Sequence, residues 1–305
     1  DKLDRQHDGA MLELTGQVAM TTDSFVVSPI FFPGGNIGDL AVNGTVNDLA
    51  MCGAKPEYLS LAFIIEEGLN MEDFWRVLVS IKVAADRAGV QVVTGDTKVV
   101  DRGKGDQLFI NTTGIGHVHP KAAIDEQRIE VGDQIIVSGQ LAQHGIAIMS
   151  VRDGLEFETE IETDSQELGH VVMQLLETHG DHIKWLRDPT RGGLGTVLAE
   201  LAKSRRLGIE LAQGQLPVDG QVEGACEMLG LDPLYVANEG LFVAVVKEEK
   251  AQAVLEQMRS TPEGQHAAIV GAVTEQHPGQ VLLKSLIGGS RVVNMLPGEQ
   301  LPRIC

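Results

Sequence analysis

Asp23, Asp48 and Asp96 stand in similar local settings: near the end of an apolar, β-branched run, inside an otherwise apolar segment, and in Gly95-Asp96-Thr97-Lys98, respectively. Brought together from separate elements, such carboxylates are hard oxygen ligands suited to Mg²⁺, which in turn clamps nucleotide phosphates. Taken singly, each also fits a plainer role as a cap or turn carboxylate bonded to nearby backbone N–H groups. Asp48 fits it least, because Val46, Leu49 and Ala50 imply partial burial, and a buried carboxylate needs a cation or several donors.

An extended backbone through Gly95-Asp96-Thr97-Lys98 points Asp96 and Lys98 to one face and Thr97 to the other. The result is either a simple ion pair or a metal ligand beside a cation that meets a phosphate or a reacting group. The segment Phe32-Pro33-Gly34-Gly35-Asn36-Ile37-Gly38 offers backbone N–H groups at a helix start, a weak phosphate signal on its own. Asp188-Pro189-Thr190-Arg191-Gly192-Gly193 and Ala237-Asn238-Glu239-Gly240 each set a carboxylate in a turn beside a regular element, and each also reads as a capped turn.

Cys305 differs in kind. A thiol on the final residue of a proline-stiffened segment is no core group, so its reactivity is the property of interest. Cys52 and Cys226 lie among apolar residues and are expected as inert core groups. Nine histidines show no converging metal-binding spacing; His117, His119, His144, His179 and His182 are expected at the surface or the domain boundary.

The elements that must position these groups are written in the hydrophobic period. Residues 11–27 read as a strand, 31–36 as a turn, and 37–52 as a mostly buried helix stopped by Gly53. A strand follows at 58–66. Phe74, Val77, Leu78, Ile81, Ala84, Ala85 and Ala88 then mark the clearest helix, stopped by Gly89. Residues 90–94 read as a strand leading into a glycine turn at 95–98, and 107–118 as another strand. The polar stretch from His119 to Gly132 sets a boundary between domains 1–118 and 119–290. Beyond it, helices are expected near 143–151, 166–178, 194–204 and 248–258, and strands near 134–138, 208–211, 241–246, 267–274 and 281–284. Residues 291–305, with two prolines and a glycine towards the end, are expected as an extended, mobile tail whose last eleven residues reach on the order of 30 Å.

A length of 305 residues favours two domains. The net charge of −19 repels phosphate backbones and anionic membranes, which argues against nucleic acid as a general partner. No apolar run reaches the roughly 20 residues of a membrane-spanning helix. Three scattered cysteines make no disulfide framework, so a cytoplasmic protein is expected.

Taken in order, Thr22-Asp23-Ser24-Phe25, Gly44-Thr45-Val46-Asn47-Asp48-Leu49-Ala50, Gly95-Asp96-Thr97-Lys98, Asp188-Pro189-Thr190-Arg191-Gly192-Gly193 and Ala237-Asn238-Glu239-Gly240 resemble the motif set of the aminoimidazole ribonucleotide (AIR) synthetase superfamily. The ending Pro302-Arg303-Ile304-Cys305 resembles that of its nickel–iron hydrogenase maturation branch, and the likeness covers nearly the whole chain. The resemblance implies an α+β / α/β two-domain fold: a PurM-like N-terminal domain that dimerises through its sheet, a PurM-like C-terminal domain, and an ATP site between them. Carried onto matching positions, it makes Asp23, Asp48 and Asp96 Mg²⁺ ligands, with Asn47, Gly95 and Thr97 also at the nucleotide. Lys98, Glu239 and Cys305 become the catalytic candidates.

The resemblance also implies a reaction. A HypF-like carbamoyltransferase loads the terminal thiol, and the chain, as an ATP-dependent carbamoyl dehydratase, converts the S-carboxamide to a thiocyanate. Its cyanide passes to a HypC–HypD-like complex for the hydrogenase iron. A histidine- and glycine-rich segment ahead of Asp1, closing over the phosphates, belongs to the same expectation, and a chain starting at Asp1 is then expected to bind ATP poorly while keeping its fold. Alternative readings are a small-molecule phosphotransferase of the same superfamily and a non-catalytic maturation scaffold.

Overall fold

A computed structural model describes residues 9–154, 160–296, 301, 304 and 305. The N-terminal domain is built on β1 (Val18–Phe25), β4 (Ala54–Glu66), β5 (Gln91–Val100) and β6 (Leu108–Val118), with a minimal hairpin, β2 (Phe31–Phe32) and β3 (Gly35–Asn36), ahead of the first helix. The sheet order is β1–β6–β4–β5, antiparallel except for the β4–β5 pair. Helices α1 (Ile37–Met51) and α2 (Met71–Ala88) are the helical layer of this domain.

Helix α1 starts where Asn36 caps it. The Asn36 side chain accepts from Gly38 N–H at 2.8 Å, and Asp39 returns the bond to Asn36 N–H at 2.9 Å, a capping box that satisfies two orphan donors. Nearly every residue of α1 is buried, because the helix lies between the N-terminal sheet and the second domain. Helix α2 buries Val77, Ile81, Ala84, Ala85 and Ala88 and ends on Gly89 at φ 68°, a left-handed stop that glycine adopts without strain.

The four-stranded sheet is two-sided in chemistry. Leu59, Leu61 and Phe63 of β4 are buried, whereas Ile64 of β4 and Val18 and Met20 of β1 are exposed at 46%, 40% and 69%. Strand alternation therefore leaves one face without a covering layer. Gly95-Asp96-Thr97-Lys98, expected as a turn, instead runs straight through β5. Glycine is needed there for close approach: a Cβ on Gly95 would lie 2.0 Å from the Leu61 carbonyl oxygen.

The second domain carries β7 (Gln134–Val137), β8 (Ile183–Arg187), β9 (Gly208–Ala212), β10 (Val243–Val246), β11 (Ala268–Thr274), β12 (Val281–Lys284) and β13 (Ser290–Val293) in one sheet. Its order is β13–β12–β9–β11–β7–β10–β8, with only β9 and β12 parallel. Helices α3 (Gln143–Asp153), α4 (Gly169–His179), α5 (Gly193–Arg205), α6 (Gly220–Leu229) and α7 (Glu248–Arg259) complete it. One core contains Leu194, Leu198, Val243 and Val245. Another contains Val172 and Leu176 of α4 and Val254 of α7, joined by Ala50 and Met51 of α1. The α+β two-domain architecture expected from the sequence is the one observed. Strand β13 occupies residues placed at the start of the tail, and β8 and α6 are not among the expected elements. Among the described residues, no helix is long and apolar enough to cross a membrane.

Candidate active site

Strand β1 turns Thr21, Asp23 and Phe25 towards α1, and the register sets Asp23 opposite the fully buried Thr112. Asp48 is on the last turns of α1, where its Oδ2 accepts from Thr21 Oγ1 at 2.7 Å. The carboxyls of Asp23 and Asp48 hydrogen-bond to each other. Burial, then the charge of Asp48 and that bond, push Asp23 up to about 6, against a weaker pull from Arg191 and Thr45. Two carboxyls this close hold on to a proton or a cation.

The second domain adds Asp188, just beyond β8, and Glu239, ahead of β10. Burial, followed by the charge of Asp48, pushes Asp188 up to about 7. Glu239 is raised well above the usual carboxylate range by burial first and then by Asp188, Asp164, Asp23 and Asp48. Its Oε1 is buried and, among the described residues, has no hydrogen-bond partner.

The backbone at Glu239 is tightly fixed. Asp164 accepts from Glu239 N–H on Oδ1 and from Gly240 N–H on Oδ2, both at 3.1 Å, while burial raises Asp164 to about 6 despite those bonds. A Cβ on Gly240 would lie 1.5 Å from the Asp164 carbonyl oxygen, so no other residue fits. Asn238 joins the neighbouring loops: its Oδ1 accepts from Ala142 N–H at 2.7 Å and its Nδ2 donates to the Pro189 carbonyl at 3.1 Å.

These groups meet in a cavity of about 40 Å³ lined by Asp23, Asp48, Asp188, Glu239, Arg191 and Cys305, among others. The tail therefore ends inside the acidic cluster. Ile304 is 4% exposed and joins the N-terminal core, Val26 N–H donates to the Cys305 carbonyl oxygen at 3.4 Å, and the Ile304 carbonyl lies 2.6 Å from His144 Nε2. A tail expected to be mobile has a docked end because Ile304 buries an apolar side chain. The remaining tail positions of that expectation, 297–300, 302 and 303, lie outside the described residues. Asp23, Asp48, Asp188 and Arg191 also line an adjoining groove of about 750 Å³ that includes Trp185 and Cys52, within the size range of small-molecule sites.

Other sequence-derived candidates fall elsewhere. Register places Asp96 beside Ala62 and Lys98 beside Ile64, on the uncovered sheet face and at the edge away from β1. Both are exposed, as are Gly95 and Thr97, and one chain does not bring them to Asp23 and Asp48. Arg191, not Lys98, is the cation at the cavity. Asn47 is buried, and its amide is spent on backbone: Nδ2 donates to the carbonyls of Gln166 at 2.9 Å and Glu239 at 3.3 Å, and Oδ1 accepts from Leu168 N–H at 2.8 Å. Cys52, expected in the core, is exposed, whereas Cys226 is buried.

His144, expected at the surface or a boundary, is fully buried. His117 and His119 pair with Glu57 and Glu177 at 3.0 and 3.2 Å. Sequence reasoning misses Asp164 entirely, since a lone aspartate in a polar loop carries no motif; Asp188 and Arg191 are visible to it only as parts of a turn.

The site has the outline of known proteins. The sequence family described as AIR synthase related protein matches with its N-terminal domain over residues 6–118 and its C-terminal domain over 130–284. The chain is 51% identical over 304 residues to carbamoyl dehydratase HypE of Azotobacter vinelandii, covering 99% of this chain and 89% of that one. A crystal structure of hydrogenase maturation protein HypE in complex with ATP superposes with a TM-score of 0.96 at 49% identity, over 100% of this chain and 92% of that one. A HypE–HypF complex superposes at 0.89 with 44% identity, over 97% and 95%. A fold in two AIR synthase related domains, an acidic cleft between them and identity of this order over the whole length place the chain among the AIR synthase related proteins and, within them, in the HypE carbamoyl dehydratase family of hydrogenase maturation.

Proposed function

We propose that this chain carries its substrate on its own last residue: a carbamoyl group on Cys305 is dehydrated with ATP to a thiocyanate, the source of a cyanide ligand for hydrogenase iron. The observation that carries this reading is the shared cavity of Cys305 with Asp23, Asp48, Asp188, Glu239 and Arg191. A phosphotransferase acting on a free small molecule has no use for a terminal thiol there.

The carboxamide oxygen is a poor leaving group, so it attacks the γ-phosphate of ATP and releases ADP. The C–O bond then breaks with phosphate departing, and the nitrogen loses its two protons to leave S–C≡N. Glu239, whose proton affinity is raised by burial and by neighbouring carboxylates, suits the role of base. Arg191 is placed to offset charge on the departing phosphate.

Asp23 and Asp48 suit Mg²⁺. Their carboxyls are adjacent and short of cationic partners, and Mg²⁺ characteristically takes one or two carboxylates plus substrate phosphates. When bound, Mg²⁺ neutralises phosphate charge. Among the described residues, no group of three or more His, Cys, Asp or Glu side chains forms a metal site in one chain, which fits a set of two with the remainder from elsewhere. We assign that remainder to a second copy. The uncovered sheet face bearing Val18, Met20 and Ile64 suits packing against its own kind in a homodimer, which brings Asp96 and Lys98 of one copy to the site of the other, with Gly95 and Thr97 beside them.

The solved HypE–HypF complex supports a HypF-like carbamoyltransferase as the partner that loads Cys305; a HypC–HypD-like complex, implied by the motif resemblance, then receives the cyanide. The thiol must stay reduced between visits, which favours the cytoplasm. The test is intact mass after incubation with carbamoylating partner and Mg–ATP. Loss of one water from the carbamoylated tail is expected, with nothing loaded on Cys305→Ala. A wild-type tail that stays carbamoylated, or cyanide transfer unchanged in Cys305→Ala, overturns the reading.

A further inference from the structure

His144 is fully buried at the start of α3, and none of the chemistry above uses it. Its Nε2 lies 2.6 Å from the Ile304 carbonyl oxygen and its Nδ1 2.7 Å from Thr163 Oγ1. A carbonyl only accepts, so Nε2 carries the proton. Nδ1 then accepts from the Thr163 hydroxyl, whose oxygen also accepts Ser165 N–H at 3.1 Å. Both ring nitrogens are thus satisfied in one neutral tautomer.

The ring is held edge-on by Phe32, with centroids 5.7 Å apart. Behind it, the buried Asp164 carboxyl accepts the His144 backbone N–H. Burial keeps the imidazole neutral, pushing it down to about 4.

The Ile304 carbonyl belongs to the peptide bond that joins Ile304 to Cys305. The contact therefore orients the final residue without touching its sulfur. Other contacts at this end include the long Val26 bond and the apolar burial of Ile304; the His144 bond is shorter than the Val26 bond and, unlike apolar burial, directional.

We propose that His144 is a positioning residue, a latch that selects the docked state of the tail and holds the loaded Cys305 against the carboxylate cluster. The docking half stands on the geometry alone; the consequence for turnover rests on the dehydratase reading. A latch has opposite effects on the two halves of the cycle. Weakening it exposes the thiol for loading and slows the step that needs the tail in place.

The experiment uses the full chain, wild type, His144→Ala and His144→Gln, the last retaining an N–H donor near the position of Nε2. The first readout is the rate of iodoacetamide modification of Cys305, followed at the C-terminal peptide so that the exposed Cys52 does not contribute. The second is single-turnover water loss from the carbamoylated protein with Mg–ATP. His144→Ala is expected to react about ten-fold faster with iodoacetamide, equivalent to about 1.4 kcal/mol of docking, and to lose water more slowly by a similar factor. Its KM for ATP stays unchanged and its carbamoylation is no slower. His144→Gln restores most of both rates.

Equal iodoacetamide rates in wild type and His144→Ala, or carbamoylation and dehydration slowed alike, overturn the proposal. If His144→Ala does not fold, Thr163→Val, which removes the hydroxyl orienting Nδ1, is expected to give the same faster modification to a smaller degree; no change there also overturns it. A shielded wild-type tail that loses no water with ATP sinks the dehydratase reading and leaves the latch standing.

Discussion

Asn47 and Glu239 are 192 residues apart in sequence, yet the Asn47 amide donates to the Glu239 carbonyl oxygen at 3.3 Å. One domain thus fixes the backbone of an acid supplied by the other. Because Asn47 also serves Gln166 and Leu168, Asn47→Ala leaves three buried backbone groups with fewer partners. A loss of about 2–4 kcal/mol is expected, since each unmade buried bond costs about 1–3 kcal/mol and partial relaxation recovers some. Denaturant unfolding checks the stability. Dehydration is expected to slow with the cleft disturbed, whereas a stable Asn47→Ala with weakened ATP binding alone would return Asn47 to the nucleotide.

Glu239 is buried and, among the described residues, its Oε1 has no hydrogen-bond partner, a condition that costs stability and fits the proposed role of base. Glu239→Gln removes the buried ionisable carboxyl while keeping the shape. Dehydration is expected to fall by about 10²-fold or more, the usual scale for a general acid–base group. The thermal midpoint of the ligand-free protein at pH 8 is expected to hold or rise. A fall in both would make Glu239 a structural residue.

Asp188 gives a pH dependence of known sign. Its folded value of about 7 lies above the ordinary 3.8, so between these limits the folded chain holds a proton that the unfolded chain releases. Its contribution to stability is complete below about pH 4 and is lost as pH rises through about 7. Asp188→Asn removes that dependence. Urea midpoints of wild type and variant, measured without ligand, are expected to agree near pH 4 and to separate by pH 8, with the variant the more stable.

The assignment of Asp96 to a second copy predicts complementation. Asp48→Asn and Asp96→Asn are each expected to be inactive alone. A mixed dimer of the two contains one site with both substitutions and one with neither, so mixing after subunit exchange is expected to restore part of the activity. Failure to restore any, in dimers shown by mass to have exchanged, would place both residues in one site.

How much of this is legible in the sequence depends on what kind of contact each residue makes. Helix α2 is readable because its buried residues follow the helical period. Gly95 reads as a turn because glycine breaks elements in general, whereas its reason here is the Leu61 carbonyl beside it, a tertiary fact. Strand β8 (Ile183-Lys184-Trp185-Leu186-Arg187) carries two cations in its five residues, and helix α6 carries Gly220 and Gly224, so neither shows a clean apolar period. In the site, Asp23, Asp48, Glu239 and Cys305 share a cavity; type and setting mark the two aspartates and Cys305, whereas Glu239 stands out only through the motif resemblance. The roles of Asp164 and His144 stay hidden, because both act on main-chain atoms of distant segments. A backbone carbonyl or N–H leaves no letter in the sequence.

The docked end of the chain touches both halves of the molecule, Val26 on one side and His144 on the other. While seated, it is a strap across the joint as well as a cargo arm. If the sulfur leaves to be loaded, as proposed, both of these contacts are given up together, so cargo delivery and the bridging of the two halves are one event.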